Sequence, residues 1–344
     1  MKTDPLSREE VIAVIEGKAT QTRVPNLVQF WVHPEEFGAQ QNEVLDLLDR
    51  YPMDAQAIPF NIPTVFDAPA DDPEYRWVNF KNPREGETHG IDEIVAIEDW
   101  DAQLEGVLTN FPNPDYENLF PENPESDGRY RLGYWWYFFF ERFWSLRGMT
   151  NSLMDFYEYP DEVHELFDKL ADFYCRMLER AKNELNLDGV FVSDDLGTQA
   201  NTFFNPDLFD EFFAPYYKRV IGKAHELGMH FWLHSCGNIE KIIPKLIEAG
   251  VDVLHPIQKY TMEEKNIADQ FGKDLCIWAG FDVQQTIPWG TTEEVREEVR
   301  FLIDTYARPE GRLMITAGNG INADCPIPSL EALLDETVKY GSAT

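Results

Sequence analysis

His234, Ser235 and Cys236 place an imidazole and a thiol two residues apart. At the end of a strand, residues i and i+2 point to the same side, so the two groups would converge on one borderline cation, with zinc the leading candidate. A third ligand is then needed. Cys325, in GNGINADCP (318–326), is the expected one, reaching across the mouth of the fold, with Asp282 and His255 as alternatives. The competing reading leaves His234 as a hydrogen-bonded site histidine and Cys236 as a buried thiol before a glycine turn.

Other reactive groups stand at the ends of short apolar runs. Asp194 and Asp195 are adjacent, so in an extended strand their carboxylates point to opposite sides and one of them faces the pocket. That carboxylate is a substrate acceptor, a general base or an outer metal ligand, or else a cap for the loop LGTQANTFFNP. Asp194, His255 and Asp282 are the expected catalytic groups, and His33, Asn61, Tyr137, Asp195, Gln258 and Asn319 the expected substrate contacts. Glu141, Arg142 and Arg147 in FFERFWSLRG read as an ion-paired helix packed on the core. The run YWWYFFF (134–140) and the pair Phe203–Phe204 either fill that core or line a pocket for a flat apolar ligand. Cationic side chains are scarce at these ends, and a P-loop and a strand-linked GxGxxG are both missing, which argues against a phosphate cradle.

Such groups can meet only if the runs carrying them are neighbouring strands. GVFVSD (189–194), MHFWLH (229–234), VDVLHPI (251–257), LCIWAGF (275–281) and RLMITAG (312–318) alternate with amphipathic stretches such as 206–228, 239–250 and 292–307, the pattern of parallel strands joined by helical crossovers. Gly228 and Gly250 close two of the helices as left-handed caps. NLVQFWV (26–32), DAQAIPF (54–60) and RYRLGYWW (129–136) add three strands, giving eight β/α units. The expected fold is therefore α/β, a TIM-type (β/α)8 barrel formed by residues 1–344 as a single domain, with an N-terminal helix at Leu6 to Ile15 and an insertion over 67–128. In that fold the chemistry sits at the C-terminal ends of the strands, where the residues named above stand.

Composition limits the partners. With 62 acidic and 29 basic residues the formal net charge is −33, which disfavours nucleic acid and anionic membranes. The 43% of hydrophobic residues suffices for a full core, so the acidity belongs to the surface. The apolar run Tyr134 to Phe140 is far too short to span a bilayer and the N-terminus lacks a signal layout, so a cytoplasmic location is expected. The four cysteines are widely spaced, as core thiols or metal ligands would be.

Four stretches, 139–168 (FFERFWSLRGMTNSLMDFYEYPDEVHELFD), 193–220, 234–258 (HSCGNIEKIIPKLIEAGVDVLHPIQ) and 279–299, resemble the uroporphyrinogen decarboxylase superfamily, strongly over residues 139–340. That superfamily holds porphyrinogen decarboxylases and zinc-dependent methyltransferases that work with corrinoid proteins. The decarboxylases carry an arginine-rich motif resembling RQAGRY and an Asp after the second strand. The corresponding stretches here are VQFWVHPEEFG (28–38) and IPFNIPT (58–64), without the arginines and with Asn61 near the expected Asp. The methyltransferase branch is the closer one, since His234 and Cys236 match the first two positions of its His-x-Cys…Cys zinc motif. Its later Cys lies near the glycine turn after the eighth strand, where this chain has GNG (318–320). Cys325 from a shifted loop, Asn319, a carboxylate or no metal at all would each account for the difference.

The resemblance implies methyl transfer between a small substrate and a corrinoid carried by a partner protein, since this chain has no DxHxxG-like cobalamin anchor. Zinc would hold a thiol acceptor as thiolate, or help the leaving oxygen or nitrogen of a methoxylated aromatic or methylamine donor. The aromatic-rich mouth favours the methoxylated aromatic. The rivals are a decarboxylase of a small carboxylate or porphyrinogen-like substrate, and a binding protein on an inactive barrel.

Overall fold

The computed structural model describes residues 2–20, 22–64, 68–75, 77 and 95–342. Its centre is a curled, all-parallel sheet of seven strands in sequential order: β1 (Ala55–Pro59), β2 (Tyr130–Trp135), β3 (Gly189–Ser193), β4 (His230–His234), β5 (Val253–His255), β6 (Cys276–Phe281) and β7 (Leu313–Ala317). The helices begin with α1 (Arg8–Ile15), α2 (Gln41–Arg50), α3 (Trp100–Thr109), α4 (Phe140–Arg147), α5 (Met149–Glu158) and α6 (Pro160–Leu185), and continue through later crossovers such as Thr292–Tyr306. β3, β6 and β7 are buried at every position, as strands covered on both faces must be.

The first expected strand is not formed. NLVQFWV contributes only two isolated parallel bridges, Asn26 to Ile315 and Val32 to Ile321, with a 3-10 helix at Val28–Trp31 between them. The cause is local and tertiary together. The Asn26 side chain accepts from the amide of Val28 at 3.2 Å, starting a turn, and the Phe30 ring packs 5.0–5.5 Å from Tyr134, Phe191 and Trp278, inside the curl of the sheet. The bridging segment still ties the two edges, since Leu27 N donates to Ile315 O at 2.9 Å and Asp54 N donates to Asn26 O at 3.0 Å. This is an α/β architecture consistent with a TIM-like barrel, with seven strands in place of the eight expected.

Between β1 and β2 the chain carries α3 and a 3-10 turn at Glu117–Leu119, while 65–67, 76 and 78–94 of the expected insertion lie outside the described residues. Among the described residues no helix is long and apolar enough to cross a membrane. The four cysteines are free thiols.

The register of the sheet sets the site. Ser193 pairs with His234, and His234 with His255, so three polar side chains form one row across the C-terminal ends of β3, β4 and β5.

Candidate active site

His234, Cys236 and Asp195 form a cluster in which one ligand atom from each lies within 4.8 Å of the others. The His234 Nε2 is 3.3 Å from the Cys236 Sγ and 3.4 Å from the Asp195 Oδ1. The two loops carrying the cluster touch through glycine. Gly237 has φ 85°, and a Cβ there would lie 2.2 Å from the backbone of Gly197, so a side chain would push the Asp195 loop off the Cys236 loop. At this separation the amide of Cys236 donates to Asp195 Oδ1 at 2.7 Å, and the amide of Gly237 donates to Gln258 Oε1 at 2.5 Å.

A hydrogen-bond chain fixes the tautomer of His234. A carbonyl only accepts, so His255 Nε2, 2.9 Å from Ala317 O, must carry its proton. The neutral His255 then accepts at Nδ1 from His234 Nδ1–H, at 2.7 Å. His234 Nε2 is left as the donor atom that faces Cys236 and Asp195. This is the arrangement by which a buried second histidine orients a metal-binding one. Burial, and then the charge of His234, push His255 well below its usual range, so it stays neutral. Trp31 stacks on it, ring centres 4.8 Å apart.

The electrostatics follow from crowding. Burial alone would lower His234, but Cys236 and Asp195 outweigh it and raise the metal-free imidazole to about 10. Burial likewise works against Asp195, yet its bond to His234 holds the carboxylate below its ordinary range. Glu141 is the next group out. Burial, then the charges of Asp195 and Asp194, raise it to about 8, and its Oε2 accepts from the Ser193 hydroxyl at 2.5 Å.

The remaining expected residues divide into two groups. Gln258, Asn319 and Asp282 line a cleft of about 50 Å³ beside Cys236. Asn319 Nδ2 is 4.0 Å from the Cys236 sulfur. Asp282 is already engaged, since it accepts from the Tyr260 hydroxyl at 2.8 Å and from the amides of Gln284, Gln285 and Thr286. His33 adjoins the 318–321 loop, where its amide donates to Ile321 O at 3.3 Å. Tyr137, two residues beyond the end of β2, has φ 67°, a strained conformation for a tyrosine.

Three of the expected residues stand apart from the ligand face of the cluster. Cys325 is not part of the ligand cluster: it is buried against Pro326, with its thiol 3.7 Å from that carbonyl, and burial raises it to about 12. Asp195 is the third member of the cluster. Asp194 faces away from the cluster and accepts from the amides of Phe139 and Glu141 and the hydroxyl of Tyr217, so it ties the start of α4 to β3. His255 has both ring nitrogens engaged and is fully buried, which suits orientation of His234 and not proton donation to a ligand. Asn61 bonds the 118–119 segment through its amide and side chain.

Sequence reasoning passed over Ser193 and Trp31, read Glu141 as part of an ion-paired helix, and gave Asp195 the part of a substrate contact. Strand periodicity sets Asp195, not Asp194, on the face of Phe191 and Ser193, but which face is interior is a tertiary fact. Phe191 faces the interior, packed 6.4 Å from His234, and Ser193 and Asp195 follow it at period two. An aromatic wall continues outward from the histidines, with Trp136, 40% exposed, 5.8 Å from both Trp31 and Phe191.

Residues 144–340 match the model of a family described as uroporphyrinogen decarboxylase (URO-D). The methylated-thiol–coenzyme M methyltransferase of Methanosarcina mazei is 22% identical over 173 residues, which is 50% of this chain. That match spans 43% of the relative's own length. A solved structure of a methyltransferase from Methanosarcina mazei shares the fold with a TM-score of 0.63 at 13% identity, over 98% of this chain and 99% of that one.

Proposed function

The chain belongs to the uroporphyrinogen decarboxylase (URO-D) family, and from that premise we propose that it is a methyltransferase of the family, moving a methyl group from a small donor to a corrinoid carried by a separate protein. The observation that carries this reading is the convergence of Asp195, His234 and Cys236 at the C-terminal ends of β3 and β4. A porphyrinogen decarboxylase has to hold several substrate carboxylates, and the arginines for that task are missing from 28–38. The two methyltransferases to which the chain is similar point the same way.

The cluster fits zinc. One imidazole nitrogen, one sulfur and one carboxylate oxygen, with a fourth position left open, is the donor pattern of a catalytic site, and the His255 relay presents the correct nitrogen. Asp195, His234 and Cys236 would hold the ion, and zinc there supplies a positive charge that stabilises a thiolate or a leaving oxygen. The chain's own groups do the positioning. Trp31, Phe191 and Trp136 offer ring faces to a flat donor, and Gln258 and Asn319 bound the polar side of the mouth.

For a methoxylated aromatic donor the methyl–oxygen bond breaks, and its electron pair stays on the oxygen. That oxygen takes up a proton while the methyl carbon bonds to the electron pair of the acceptor. The test is incubation with methoxylated aromatics and chemically reduced cobalamin, followed by absorbance and by chromatography of the demethylated product. Demethylation that depends on cobalamin and is lost in Cys236→Ser supports the reading. Release of carbon dioxide from a carboxylate substrate without cobalamin, and no demethylation, would establish the lyase instead.

A further inference from the structure

The cleft beside Cys236 is walled by the C-terminal ends of β6 and β7 and by the loop after β5. Part of that wall is bare backbone. Gly280 and Gly318 both line the cleft, and a Cβ on Gly280 would lie 2.6 Å from the Gly318 Cα, so a side chain there would force the two strands apart. The room of about 50 Å³ exceeds what one water needs and suits a single small functional group.

Two carboxamides line this room with their orientation fixed. Asn319 Oδ1 accepts from the amide of Gly320 at 2.8 Å, and its Nδ2 is turned to Cys236, 4.0 Å from the sulfur. Gln258 Oε1 accepts from the amide of Gly237 at 2.5 Å, and its Nε2 has no partner among the described residues. A backbone N–H only donates, so neither carboxamide can turn over without losing its bond. Each one spends its oxygen on the protein and keeps its NH2 group for a ligand.

The surrounding charges decide what kind of ligand. Apart from Gln284 at the exposed rim, the other polar groups are taken. Asp282 is filled by the Tyr260 hydroxyl and three amides, and Lys259 pairs with Glu264 and Glu298 at 3.2 and 3.3 Å. Glu298 also accepts from the amide of Asp282, at 3.1 Å. A cation held by the cluster would offset the charge of Asp195 and Cys236. That leaves the carboxylates of Asp282, Glu264 and Glu298 against the single ammonium of Lys259, which penalises an anion and tolerates a neutral oxygen.

We propose that Gln258 and Asn319 form a donor pair that binds a neutral carbonyl oxygen on the methyl donor, so that the substrate is a methoxylated aryl carbonyl compound and not the free acid. A carbonyl oxygen carries two lone pairs, one for each NH2 group. An analogue without that oxygen strips water from both groups and returns nothing, which is how a polar cleft rejects it. The subsite rests on the methyl-donor reading, but it is measured by binding alone.

Calorimetric titration of the full chain with meta-methoxyacetophenone, with meta-ethylanisole, which has CH2 in place of the carbonyl, and with meta-methoxybenzoate tests it. The ketone should bind the wild type about tenfold more tightly than the hydrocarbon, as two net hydrogen bonds allow, and more tightly than the acid. Asn319→Asp and Gln258→Glu keep the oxygen that each glycine amide needs and replace the NH2 group by a second oxygen. Both should lose the preference for the ketone, keep their affinity for meta-ethylanisole, and gain affinity for the cation meta-methoxybenzylamine, a reversal that a damaged fold cannot produce. If one variant does not fold, as judged by circular dichroism, the other carries the test. Equal binding of ketone and hydrocarbon by the wild type, tighter binding of the acid than of the ketone, or an unchanged preference in a folded variant overturns the proposal. Binding of the ketone without methyl transfer refutes the methyltransferase reading and leaves the subsite intact, and cobalamin-dependent demethylation with no preference for the ketone does the reverse.

Discussion

At the scale of single residues the account turns on one proton. His255 stays neutral and gives its Nε2–H to Ala317 O, so its other nitrogen can only accept, and His234 is left with Nε2 toward Cys236 and Asp195. Replacing His255 by Phe keeps a ring under Trp31 but removes the acceptor. Zinc affinity should fall about 10- to 100-fold, as for other orienting partners of metal-bound histidines, and a chelator-competition titration measures it. Unchanged affinity would remove His255 from the account. Glu141 makes a second prediction. Its folded value of about 8 lies above the usual carboxylate range, so its contribution to stability is complete below about pH 4.5 and is lost as pH rises through about 8. Glu141→Gln copies the neutral acid. With both proteins stripped of metal by a chelator, it should melt with the wild type near pH 4.5 and above it at pH 9, by up to a few kcal/mol; parallel melting curves at both pH values would contradict the assignment.

At the scale of elements the sheet register does most of the positioning. β3, β4 and β5 bring Ser193, His234 and His255 into one row, and the helix after β2 returns Glu141 to it. Asp194 anchors that helix. Asp194→Ala leaves two amides and the Tyr217 hydroxyl without their acceptor, and should cost about 2–4 kcal/mol of stability in denaturant titration while leaving the bound metal in place. Loss of metal with no loss of stability would reverse the roles of Asp194 and Asp195. Much of this was legible in the sequence. Seven of eight expected strands form, because short β-branched runs between amphipathic stretches encode parallel crossovers directly. The first expected strand, 26–32, does not form because Asn26 starts a turn and Phe30 packs inward, a tertiary demand that alternation does not reveal. His234 and Cys236 converge as their spacing predicts, with Nε2 3.3 Å from Sγ. Asp195 was underrated because a strand buried on both faces, such as GVFVS, does not show which face is interior. Cys325 lies outside the cluster because the path of a loop is not written in spacing.

At the scale of the molecule the charge of −33 must be carried by the surface, and it acts against the compact state. Adding salt from about 0.01 to 0.15 M shortens the screening length from about 30 to 8 Å, so the melting temperature should rise over that range; a flat or falling curve would mean that the surface ion pairs outweigh the repulsion. The same charge sets the terms for partners. It disfavours a polyanionic substrate, and under the proposed function a docking protein would need a complementary face. The family places the chain beside both decarboxylases and methyltransferases, and the Asp195–His234–Cys236 cluster is what separates the two readings. Elemental analysis of protein from zinc-replete growth, for the wild type and for Asp195→Ala, Cys236→Ser and Cys325→Ser, therefore tests the central claim. The account predicts about one zinc per chain in the wild type and in Cys325→Ser, and loss of the metal in the other two, as expected of a three-ligand site. A wild type without zinc, or a Cys325→Ser variant that loses it while Asp195→Ala keeps it, would contradict the account.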